Sequence, residues 1–174
     1  MKSFLAFITL FLVTFPSMPS LAGDMELPPY EGSPALKAMK GLAGTWKGTH
    51  VMQGKELPAA IEYKVSSNGS SVVETLFPGT PQEMITVYHD KAGKLAMTHY
   101  CSVGNQPHLD MVNMDRNVLS FSLSSANSPA IEQEGHMHDL KITIADADHL
   151  KQEWTYYEKG NPGGTTTFTL VRAH

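Results

Sequence analysis

From Gly44 to the end of the chain, apolar and polar residues alternate in short runs, and that one feature confines the chain to an all-β fold. Ten strand candidates follow: 44–52, 59–66, 70–77, 83–89, 94–102, 108–114, 117–123, 136–145, 149–158 and 165–172. Each is rich in β-branched or aromatic residues and is bounded by Gly, Pro, Asn or Asp. No stretch after residue 44 carries the 3.6-residue stripe of an amphipathic helix, and internal repeats are absent.

The connections between these runs alternate in kind. Those at 67–69, 90–93, 115–116 and 146–148 are tight. Those at 53–58, 78–82, 103–107, 124–135 and 159–164 are longer and contain Pro and Gly. In an up-and-down antiparallel β-barrel, alternate connections fall at alternate ends. The pattern therefore predicts a closed base and an open mouth, with 124–135 long enough to serve as a lid. Closure also removes exposed sheet edges. Upstream, Ser33-Pro34 predicts the start of a short helix, with Ser33 as N-cap and Pro34 where its missing N–H costs nothing. That helix would enter the first strand from the base and plug it.

The N-terminus bears on compartment. Met1-Lys2 precedes an almost wholly apolar run from Phe4 to Phe15, followed by Pro16, Pro19 and Ser20-Leu21-Ala22. This is the layout of a secretory signal peptide cut after Ala22. The apolar run is shorter than the roughly 20 residues that span a bilayer. The expected organisation is a signal peptide over 1–22, a Pro- and Gly-containing linker over 23–32, and one barrel domain over 33–174. The expected location is periplasmic or secreted. A mature chain of 152 of the 174 residues is long enough for one core, burying roughly 70% of its unfolded surface. Cys101 is the only cysteine, so no disulfide can form within the chain. With formal charge −4, only Arg116 and Arg172 as arginines and no basic patch, nucleic acid and anionic membrane surfaces are poor partners. No later segment could cross a bilayer as a helix, so no membrane insertion is expected after signal cleavage. A small-molecule ligand is the expected partner.

Gly44-Thr45-Trp46 falls where the helix meets the first strand. A Gly-x-Trp there resembles the lipocalins and the wider calycin group, in which the Trp packs across the closed end. Lys47-Gly48 extends the resemblance toward the Gly-x-Trp-x-Gly pattern of the nitrobindins. Position 50 is His50 where that pattern has a further Gly, Pro58 is displaced, and the haem-binding histidine has no clear equivalent. The resemblance therefore implies the barrel more than it implies haem. The stretches Val73 to Thr80, Met97 to Cys101 with Gly104 to Pro107, and Gln152 to Thr155 look like those of a set of exported bacterial proteins of uncharacterised function, which brings no activity with it.

Two strands carry groups capable of chemistry. Leu95, Met97, His99 and Cys101 share one face of the fifth run. His136, His138, Leu140, Ile142 and Ile144 share one face of the eighth. Both faces are otherwise apolar and are expected to point inward. Position along the strands places all four chemical groups at one inner rim, with His50 beside them and Trp154 and Tyr156 as an aromatic wall. Gln152 would lie lower, and either Glu74 or Thr75 would enter the lumen.

Three functions compete for this rim. The first is a container for a mainly apolar small molecule, oriented by the histidines and by Asn105 and Gln106 of the 103–107 loop. The second is a metal or haem protein. His99, Cys101, His136 and His138 supply the N and S atoms of a zinc-type site, although the ion would have to span the lumen. The third is an enzyme in which Cys101 is activated across the barrel by His136 or His138. His99, two residues away on the same strand face, is too far to do so. The ligand-binding function ranks first and catalysis last.

Overall fold

A computed structural model describes residues 27–174. Residues 1–22, expected to be the signal peptide, and the first part of the expected linker lie outside the described residues. Among the described residues are one α-helix and ten strands. The helix is α1 (Pro34–Lys40). The strands are β1 (Gly44–Met52), β2 (Lys55–Ser66), β3 (Ser71–Leu76), β4 (Met84–Lys91), β5 (Lys94–Tyr100), β6 (His108–Asp115), β7 (Val118–Leu123), β8 (His136–Ile144), β9 (His149–Glu158) and β10 (Asn161–Arg172). Each strand pairs with its sequence neighbours, and β1 pairs with β10, giving a closed antiparallel barrel of up-and-down topology. No described helix is long and apolar enough to cross a membrane.

The base is built as the sequence leads one to expect. Ser33 caps α1 by accepting from the Leu36 amide, and is itself held by Asp90 of β4 through its amide and hydroxyl, both at 2.7 Å. Ala35, Leu36 and Met39 turn into the barrel. Trp46, fully buried, donates its indole N–H to the Leu42 carbonyl at 2.8 Å. The Arg172 guanidinium lies 4.3 Å from the Trp46 ring and donates to the carbonyls of Gly41, Ala43 and Ala147. Gly48 has a steric reason to be glycine: a Cβ there would run into the Thr169 carbonyl of β10. The Gly-x-Trp-x-Gly stretch is thus one structural unit that seats the first strand against the last.

The mouth departs from expectation at two connections. Residues 53–58 and 159–164 are not loops. β2 begins at Lys55 and β10 at Asn161, leaving tight turns at Gln53-Gly54 and Lys159-Gly160. Pro58 and Pro162 read as loop residues, yet each sits where its strand is paired on one side only. β3 joins β2 from Ile61, and β1 joins β10 from Thr167. A proline loses nothing on such an edge. These hairpin ends stand above the closed part of the barrel as two walls of the mouth. The connections at 77–83, 101–107 and 124–135 remain long, and the last contains a short 3-10 helix, Pro129–Gln133.

Candidate functional site

The lumen is solid in its lower half and hollow in its upper half. Below, Leu36, Met39, Trp46, Leu95, Leu150 and Leu170 form a continuous core. Above lies a cavity of about 570 Å³, within the range of small-molecule sites. Its wall is mainly Leu57, Leu76, Phe77, Met84, Met137 and Phe168, joined by His50, His99, Cys101, Trp154 and Tyr156 from the expected rim. Strand alternation explains the placement: β1, β5, β9 and β10 keep unbroken parity from base to mouth in the parts that line it.

His99 is the most constrained polar group of the wall. Its ring packs on Trp154 with centroids 4.8 Å apart, and its Nδ1 lies 2.9 Å from the Thr86 hydroxyl. Burial holds its pKa down at about 4, so the ring is neutral at ordinary pH. Its Nε2 is buried and has no partner. His50 is similar: it stacks on Phe168 at 5.4 Å, meets the edge of Phe77 at 5.1 Å, and leaves Nδ1 buried without a partner. Phe77 reaches this position with φ at 52°, a conformation costly for a bulky residue.

Beneath the cavity runs a polar layer. β3 turns Glu74, not Thr75, into the lumen, which settles the face the sequence left open. Glu74 Oε2 accepts from the Tyr88 hydroxyl at 2.9 Å and from Gln152 Nε2 at 2.8 Å. Gln152 Nε2 also donates to the Tyr63 hydroxyl, and Gln152 Oε1 accepts from the Trp154 indole at 2.9 Å. Burial raises the Glu74 pKa, while hydrogen bonds from Tyr63, Tyr88, Gln152 and Thr86 pull it back down. Burial, and then the Glu74 charge, raise Tyr63 and Tyr88 well above the ordinary tyrosine value. Of this layer, sequence reasoning placed only Gln152. The signal for the rest was inward parity in β2, β3 and β4, which puts Tyr63, Glu74 and Tyr88 on lumen-facing positions.

His136 and His138 do not line this cavity, and the rim expected of them is corrected. A β-bulge lies between Met137 and Asp139, where His138 is the extra residue. One inserted residue reverses parity on its far side. Leu140 and Ile142 keep the inward face, but above the bulge that face belongs to Met137, which lines the cavity. His136 pairs with Tyr157, one residue beyond the cavity-lining Tyr156, and so lies on the outer side of the wall. There His138 stacks on Tyr157 at 3.9 Å, and the His136 Nδ1 lies 2.9 Å from the Glu134 carbonyl. His99 and Cys101 therefore do not converge with His136 and His138 on one ion. Among the described residues no group of three or more His, Cys, Asp or Glu side chains is arranged to hold a metal.

The loop amides also have other work. Asn105 Nδ2 donates to the Gly135 carbonyl at 2.8 Å, tying the 101–107 loop to the end of the 124–135 loop. Gln106 is exposed and donates to the Gly104 carbonyl within its own turn. Neither residue lines the cavity. Cys101 does, at the rim, but its thiol has no hydrogen bond to His99, whose Nδ1 is taken by Thr86.

The fold and cavity together define a class: a closed ten-stranded antiparallel barrel with one hollow end, consistent with a calycin-like fold. No family model matches the chain. No curated protein matches it either.

Proposed function

We propose that this protein is an exported container that holds a small, mainly apolar molecule in the mouth half of its barrel. The observation that carries this is the cavity of about 570 Å³, walled by aliphatic and aromatic side chains but carrying two unpartnered imidazole nitrogens, on His50 and His99. Apolar walls supply affinity and a few placed polar groups supply orientation. Export rests on the pattern of residues 1–22 and predicts a mature N-terminus at Gly23, readable from the intact mass of the exported protein.

Pyrene, an apolar and fluorescent probe, tests the container. It should bind saturably, one molecule per chain, and Met84→Trp, which pushes an indole from the wall into the cavity, should weaken it. Non-saturable partitioning, or binding that ignores Met84→Trp, would refute the proposal. The double variant His136→Ala/His138→Ala should bind pyrene as the wild type does, because those rings stand outside the wall.

A further inference from the structure

Resting on the container function, a narrower property of the ligand follows from the charges that the cavity wall lacks. Among the described residues that line the cavity there is no Asp, Glu, Lys or Arg. The titratable groups of the wall are His50 on β1, His99 on β5 with Cys101 just beyond it, and Tyr156 on β9. His99 has the Thr86 hydroxyl and the Trp154 ring against it and no carboxylate, and burial keeps the ring neutral at ordinary pH. His50 packs against the rings of Phe77 and Phe168. The nearest carboxylates are committed elsewhere. Glu74 accepts from Tyr88 and Gln152 in the layer below, Glu56 accepts from the Thr49 hydroxyl at 2.8 Å, and Glu83 accepts from the Gly79 amide at 2.6 Å. Lys55 is exposed at the tip of the β1–β2 hairpin and does not line the cavity.

An ion enclosed by such a wall loses its water and finds no counter-charge. That cost is large enough for a carboxyl or amino group to give up its charge instead. The wall does offer hydrogen bonding without charge. His50 Nδ1 and His99 Nε2 are buried without a partner, and a neutral imidazole carries one donor and one acceptor. Thr80, Gln82 and Ser102 add neutral polar groups at the exposed edge. We infer that the cavity selects uncharged molecules: its ligand is an apolar body whose polar groups are of the hydroxyl, carbonyl or amide kind, and acids and amines enter only in their neutral forms.

Four naphthalenes of similar size, each displacing bound pyrene from the unaltered protein at pH 6 and pH 8, test this. Their compact rings leave no chain to hold a polar group out in water. The alcohol 2-naphthol should compete equally well at both pH values. The acid 2-naphthoic acid should bind about a hundredfold more weakly at pH 8 than at pH 6, and 2-naphthylmethylamine about a hundredfold more tightly, because the neutral fraction of each changes roughly tenfold per pH unit. Naphthalene-2-sulfonate, ionised throughout, should displace no pyrene. A sulfonate that competes as well as 2-naphthol means that the site accepts an anion, and overturns the inference while leaving the container intact. Acid and amine affinities that ignore pH do the same, as does bound pyrene that 2-naphthol cannot displace. Failure of pyrene itself to bind removes the container instead.

Discussion

An imidazole buried in an apolar wall resists taking a proton, and this makes His99 a determinant of stability against acid. Its pKa is about 4 in the folded chain against 6.5 for the free side chain. Between those values the unfolded chain binds a proton that the folded chain refuses. Stability is therefore full above about pH 6.5 and is lost as pH falls toward 4. The two and a half units correspond to on the order of 3 kcal/mol. Urea unfolding at pH 7 and pH 4.5 should show this loss, and His99→Gln should flatten it. Tyr63 and Tyr88 act in the opposite direction, since burial raises each of them. Their contribution is present below their unfolded pKa values and declines as pH rises through the folded ones, so strongly alkaline solution should also destabilise the barrel. Tyr156 shows how bare backbone shapes the rim. Its ring lies against Gly135 and Gly163, where a Cβ would overlap it. Gly163→Ala should push the ring aside and change pyrene affinity more than it changes stability.

At the scale of elements, the strands were legible because alternation survives wherever one face is buried. Observed and expected ranges differ by only a few residues, apart from the early starts of β2 and β10 at the two mouth hairpins. Those starts were hidden because Pro58, Pro162 and the adjacent glycines carry turn chemistry, while their tolerance depends on an unpaired edge that only the register reveals. The bulge at His138 was invisible for a related reason. His-Met-His-Asp-Leu fits continuous alternation, and only pairing with Tyr156 and Thr155 exposes the extra residue. Half of the expected chemical rim was lost through that single insertion. His50, His99, Cys101, Trp154 and Tyr156 were placed correctly because no bulge lies between their positions and the core of their strands. Gly48→Ala tests the close approach of β1 and β10. It should lower stability by roughly 1–3 kcal/mol, the usual cost of overpacking, measured by thermal unfolding. An unchanged midpoint would mean that the strands separate freely there.

For the whole molecule, function depends on a division of the lumen. α1, Trp46 and Arg172 close the base, the Glu74 layer forms a polar floor, and the aromatic and methionine walls enclose the hollow above. The base is tied by fixed hydrogen bonds, and the wall of the hollow carries two buried imidazole nitrogens without a partner, on His50 and His99. The methionines report on this division directly. Met52, Met84 and Met137 line the cavity, whereas Met39 and Met97 are buried in the core outside it. Methyl-labelled methionine spectra recorded with and without pyrene should show large ring-current shifts at Met52, Met84 and Met137 and little change at Met39 and Met97. Bound pyrene that leaves those three methyl groups unmoved, or that shifts the core pair as strongly, would contradict a ligand site in the mouth half of the barrel.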